Sequence, residues 1–88
     1  MLRITETASQ SGTRLVLEGK LVGPWVEELR ATCDRNRAAG RPPELDLAGV
    51  SYIDDAGERL LRELITEGAS LVRCSGFVRE TLRERNDR

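Results

Sequence analysis

The chain contains no histidine, two cysteines, three aromatic residues and a single lysine, Lys20. Without an imidazole the commonest neutral-pH base is missing. Cys33 and Cys74 stand far apart in sequence, which excludes the paired spacings of a structural zinc site. No metal and no cofactor are expected. Each cysteine falls on an apolar stripe or strand and reads as a small buried hydrophobe. Trp25, Tyr52 and Phe77 are too few for a sugar-binding platform. No apolar run approaches the ~18 residues that span a bilayer. The start, Met1-Leu2-Arg3-Ile4-Thr5-Glu6, lacks the apolar core of a signal peptide. The expectation is a cytoplasmic chain that does not insert into membranes.

Charge is plentiful but balanced. Fourteen basic and fifteen acidic side chains leave a net charge of -1. They are interspersed, so no basic footprint for nucleic acid emerges. With 88 residues, 39% hydrophobic and 33% charged, the chain has material for one globular domain spanning 1–88. A chain this short buries only ~60–65% of its unfolded surface, so its core must be economical.

Leu2 and Ile4, then Leu15, Val16 and Leu17, mark two strands joined through a polar stretch in which Gly12 suits a turn. This reads as a β-hairpin. Gly23-Pro24 predicts a helix start, because proline at the first helical position loses only an N–H that has no partner there. Val22, Trp25, Val26, Leu29 and Cys33 then recur at spacings of three and four, giving one buried stripe. Gly40 followed by Pro42 and Pro43 ends that helix. Trp25 reads as core packing, with an exposed interface anchor as the alternative that its accessibility decides.

Leu45 and Leu47 alternate with polar residues, and Val50, Tyr52 and Ile53 extend a strand as far as the paired aspartates Asp54 and Asp55. The period then changes to about 3.6. Ala56, Leu60, Leu61, Leu64 and Ile65 form the next helical stripe, with Gly68 as its left-handed stop. Residues 70–74 read as a short strand. Phe77, Val78, Thr81 and Leu82 read as a last amphipathic helix, and 83–88 as a frayed polar tail. The order is ββαβαβα: an α/β fold with a mixed four-stranded sheet and helices mainly on one face. The other face is then left with room for a partner or a second subunit.

The strand-to-helix junction carries the sharpest signal. Asp55 and Glu58 have the spacing of a capping box, and Asp54 is the other candidate cap. Only one aspartate can take the best capping geometry, so the second displays its charge at the end of the sheet. Gly57, in a first helical turn, suggests that something approaches the backbone closely there. Carboxyl ends of strands are also where α/β proteins place working residues.

The run Leu45-Asp46-Leu47-Ala48-Gly49-Val50-Ser51-Tyr52-Ile53-Asp54-Asp55-Ala56-Gly57 resembles the signature of STAS domains, the fold of bacterial anti-sigma factor antagonists. Gly19-Lys20-Leu21 is similar to that family's Gly-x-Leu before its first helix. The resemblance extends over about residues 2–82 and implies a single STAS-like domain. In the family, the serine after the aspartate is phosphorylated by an anti-sigma factor that is also a serine kinase, and the unphosphorylated antagonist binds it to free the sigma factor. Here Asp55 occupies that serine position. A carboxylate forms no stable phosphoester and supplies about -1 charge permanently, against about -1.5 to -2 for phosphoserine. The family's Leu-Gly after the glycine is replaced by Glu58-Arg59. Many relatives add a further strand after the last helix, so the sequence reads as a short version of the fold.

The resemblance therefore implies a non-enzymatic regulatory domain that takes part in transcription regulation by partner switching. Its partner would dock on Asp54, Asp55, Ala56, Gly57, Glu58 and Arg59. Asp54 would hold the turn, Asp55 would present charge, Gly57 would allow close approach, and Glu58 with Arg59 would tune partner choice. The implied partner is an anti-sigma factor of serine-kinase type. The alternative is an accessory subunit of a membrane transport system that contacts the transporter ATPase. A receiver domain fits less well, since its late lysine and its acidic pair after the first strand have no counterpart. Asp46, Asp54, Asp55 and Glu58 supply carboxylates, but no nucleophile-base pair accompanies them, which argues against an enzyme.

Overall fold

The computed structural model describes residues 2–9, 12–40 and 43–86. Strands β1 (Leu2–Ser9) and β2 (Gly12–Leu21) form the antiparallel hairpin. They are followed by α1 (Pro24–Ala38), β3 (Pro43–Ile53), α2 (Asp55–Thr66), β4 (Ser70–Cys74) and α3 (Gly76–Asn86). The sheet order is β1-β2-β3-β4, with β2, β3 and β4 mutually parallel. This is the mixed four-stranded α/β sheet that the periodicity predicts. Of the hairpin turn, Gln10 and Ser11 lie outside the described residues.

Alternation places Leu15 and Leu17 of β2 and Leu45 and Leu47 of β3 on one sheet face, all completely buried. They meet Leu29 from α1, Leu60, Leu61 and Leu64 from α2, and Val78 from α3 in a single core. All three helices thus cover one face, and each buried leucine contributes about 1.5–3 kcal/mol. The opposite face is polar, with Arg14 Nε 3.3 Å from Glu44 Oε1 across β2 and β3. Asp46 accepts from the Ala48 N–H at 3.1 Å and lies 3.8 Å from Arg73, beside a register shift between β3 and β4.

The helical stripes differ in detail from the sequence reading. In α1, Val26, Leu29 and Cys33 are buried, while Trp25 is half-buried at the core margin. Thr32 and Asn36 are buried as well. Their side chains donate back to the carbonyls of Glu28 and Thr32 at 3.0 and 2.9 Å, so neither brings an unsatisfied donor into the core. In α2 the leucines are buried, but Ala56 and Ile65 are exposed, and Gly57 and Glu58 take their places. Among the α3 side chains that the structure describes, residues 76–82, Val78 and Leu82 are buried and Phe77 is 42% exposed.

The helix ends follow the chemistry of their termini. Gly40 and Gly68 have φ of 79° and 107°, the left-handed conformation that stops α1 and α2. Ser75 caps α3: its Oγ accepts from the Val78 N–H at 3.3 Å and donates to the Val50 carbonyl at 2.7 Å. Helix α3 extends to Asn86, into the segment 83–88 that the sequence reads as a tail; residues 87 and 88 lie outside the described residues. No helix among the described residues is long and apolar enough to cross a membrane.

Candidate functional site

Strands β2 and β3 end together, and the turns beyond them start α1 and α2. Asp54 sits between those two starts. Its Oδ1 accepts from the Gly57 N–H at 2.8 Å, which makes Asp54 the N-cap of α2. Its Oδ2 accepts from the Gly23 N–H at 3.1 Å, at the head of α1. The Asp54 N–H donates to the Leu21 carbonyl at 3.3 Å, and its own carbonyl accepts from the Glu58 N–H at 2.9 Å. The two backbone N–H groups, Gly57 first and Gly23 second, hold this carboxyl below its ordinary range. One carboxylate thus fastens both helix starts to the ends of the two central strands.

The capping box is therefore not formed. Asp54 takes the cap, and Glu58 falls one position beyond the reciprocal site and turns inward. Glu58 is 8% exposed, and its Oε2 lies 3.2 Å from Arg62 Nε. Arg62 also donates to the Leu82 carbonyl at 2.9 Å, so the pair links α2 to α3. Glu58 presents almost no surface to a docking protein.

Gly57 is buried for a reason internal to the chain. A Cβ at this position would stand 2.7 Å from the Leu21 carbonyl oxygen and 3.1 Å from Leu21 Cγ. The close approach is made by the end of β2. Gly23 has φ 54 and ψ -128 and is followed by Pro24, a backbone shape that L side chains adopt at a cost.

Of the expected docking residues, Asp55, Ala56 and Arg59 are exposed, Asp54 is half-exposed, and Gly57 and Glu58 are buried. The Asp55 side chain makes no hydrogen bond or ion pair among the described residues. Asp55 and Arg59, four residues apart, share one face of α2.

At the end of β3, three residues before Asp55 in the chain, begins a feature that sequence reasoning missed. Tyr52 at the end of β3 and Phe77 in the first turn of α3 are 47% and 42% exposed. Their rings face each other with centroids 5.5 Å apart and a 33° tilt, an arrangement favoured between aromatic pairs. The available signal was spacing: Val78 and Leu82, four residues apart, set the buried side of α3 among residues 76–82, and Phe77 stands about 100° from Val78 around the helix. Two of the chain's three aromatic residues are thus displayed at the carboxyl end of the parallel strands.

The cysteines are not part of this site. Cys33 is buried, and desolvation pushes its thiol up to about 11; Cys74 is half-buried and raised for the same reason. Among the described residues no group of three or more His, Cys, Asp or Glu side chains could hold a metal ion.

No family model and no curated protein matches this chain. Among solved structures the chain is similar to part of the crystal structure of Mglu, with 26% identity and a TM-score of 0.60. That match covers 78% of this chain and 18% of the Mglu chain. The chain thus corresponds in fold to one segment, under a fifth, of a larger polypeptide.

Proposed function

We propose that this chain is a non-enzymatic regulatory domain of the STAS type, working in the cytoplasm by binding a protein partner at the β3–α2 junction. One observation carries the reading: the exposed aromatic pair Tyr52–Phe77 stands at the end of β3, and three residues after Tyr52 in the chain comes Asp55, an exposed carboxylate without a partner among the described residues. Exposed aromatic residues are costly to leave in water, and they are the side chains most enriched as binding anchors. The partner this surface suits offers an apolar cleft for the two rings and a basic group for Asp55. An anti-sigma factor of serine-kinase type is the partner that the STAS resemblance supplies.

The charge at position 55 also supports a second partner. A docking surface that phosphorylation cannot switch off is suited to permanent association, as with the ATPase component of a transport system. Affinity capture from native extract, followed by identification of what binds, separates the two.

The test is a set of variants assayed against the captured partner. Asp55→Arg and Tyr52→Ala should each weaken binding by about tenfold or more, a loss typical of anchor residues, while the unfolding midpoint stays within a few degrees. Unchanged affinity in both variants would sink the reading. With ATP and the kinase, the unmodified chain should carry no stable phosphate and Asp55→Ser should accept one. A stable phosphate on Ser51 of the unmodified chain would overturn the reading that phosphorylation does not switch this surface.

A further inference from the structure

The two edges of the sheet are built differently. β4 is short, has a register shift against β3 and carries Arg73. These features discourage pairing with another strand. β1 has none of the first two. It is eight residues long, pairs with β2 without a break from Leu2↔Gly19 to Ser9↔Gly12, and contains no proline, lysine or glycine. Such an edge offers its outer backbone groups as a template. Along its helix-facing side runs a groove of about 280 Å³ between β1 and α1. Leu2, Ile4 and Trp25 form its apolar part, and Glu6 of β1 with Glu28, Thr32 and Arg35 of α1 complete its lining.

We propose that β1 pairs antiparallel with β1 of a second copy of this chain, making one continuous eight-stranded sheet about a two-fold axis at Ile4. Symmetric antiparallel pairing with helices kept on one face joins only residues on the same face, so the axis must pass through a residue. An axis at Arg3 sets two guanidinium groups against each other. An axis at Thr5 sets Ile4 against Glu6 of the second copy. An axis at Ile4 sets isoleucine against isoleucine and Arg3 against threonine; it also sets Leu2 against Glu6, whose carboxylate lies 3.5 Å from Arg35 of its own chain, and of the three it is the one that puts an apolar pair on the axis.

Charge favours the same register. Arg35 lies 3.5 Å from Glu6, while Leu2 and Trp25 line the same groove. A two-fold axis near Ile4 carries the Arg35 end of one groove toward the Trp25 and Glu28 end of the other. The Arg35 cation, with Glu6 beside it, then faces an indole and a carboxylate on both sides of the seam.

Sedimentation velocity from micromolar to millimolar chain should show a monomer–dimer equilibrium. Ile4→Lys and Ile4→Glu should each weaken self-association by about tenfold or more, and an equimolar mixture of the two should restore it, because only the two-fold partner position is changed. A monomer throughout, or dimers unaffected by either variant, overturns the proposal. Far-ultraviolet circular dichroism and melting of each variant check that the fold survives. Where a variant unfolds, amide exchange on the unmodified chain decides: β1 amides should slow as concentration rises, and concentration-independent exchange overturns the pairing.

Discussion

Asp54 Oδ2 accepts a hydrogen bond from the Gly23 N–H at 3.1 Å, joining two residues thirty-one positions apart. With Oδ1 held by the Gly57 N–H, this single carboxylate is shared between the starts of α1 and α2. Asp54→Ala removes both acceptors. The loss should be about 1–2 kcal/mol, a cap plus a second charge-assisted bond at a half-exposed site, read as a lower urea midpoint with unchanged slope. An Asp54→Ala midpoint equal to the original would mean that the two N–H groups find water at no cost.

The same bonds set a pH dependence. The folded carboxyl titrates below its unfolded value of about 3.9, so the unfolded chain binds the extra proton first as pH falls. The contribution of Asp54 is complete above that unfolded value and is lost as pH drops through the folded one. Asp54→Asn should therefore flatten the fall in stability in this acid window and leave the curve above pH ~6 parallel to that of the unmodified chain. Parallel curves throughout would remove Asp54 as the source.

Gly57→Ala opposes two effects that can be ranked. Alanine gains about 1 kcal/mol of helix propensity, whereas a Cβ 2.7 Å from the Leu21 carbonyl forces the β2 end to shift, at about 1–3 kcal/mol. The net change should be a lower thermal midpoint. A rise would show that β2 yields easily.

Arg62→Ala removes the donor that reaches both Glu58 and the Leu82 carbonyl. Amide exchange in α3 should accelerate several-fold relative to Arg59→Ala, whose side chain is exposed. Equal exchange in the two variants would show that Val78 and Leu82 alone hold α3.

Thiol labelling at pH 8 should modify Cys74 before Cys33, whose buried thiol is pushed up to about 11. Cys33 should react only at the rate of unfolding. Labelling of Cys33 ahead of Cys74 would contradict its burial.

Much of this architecture was legible in advance because its signals are local. The Gly23-Pro24 start, the Gly40 and Gly68 stops and the alternation of Leu45 with Leu47 each act within a few residues. The junction was legible only in part. Asp54 and Asp55 both looked like caps, and the choice between them depends on Gly23, which the fold brings in from far along the chain. Glu58 read as a surface acid because its reason for burial, the Arg62 bridge to Leu82, joins two helices. Gly57 read as an opening for a visitor, and its neighbour is Leu21 of the same chain. Phe77 read as core because a helical period tolerates a residue at the margin of its stripe. The Ser75 cap was written locally, a serine just ahead of an amphipathic run, and could have been found.

The double attachment of Asp54 bears on how costly it is to be recognised. A loop that carries Asp55 would have to be immobilised whenever something bound it, at about 1–2 kcal/mol of backbone entropy for each residue. Here the backbone on either side of Asp55 is already anchored to the central strands through Asp54. That backbone share of the cost has been met during folding, which leaves rigid-body freedom and side-chain ordering as what binding at this surface has to offset.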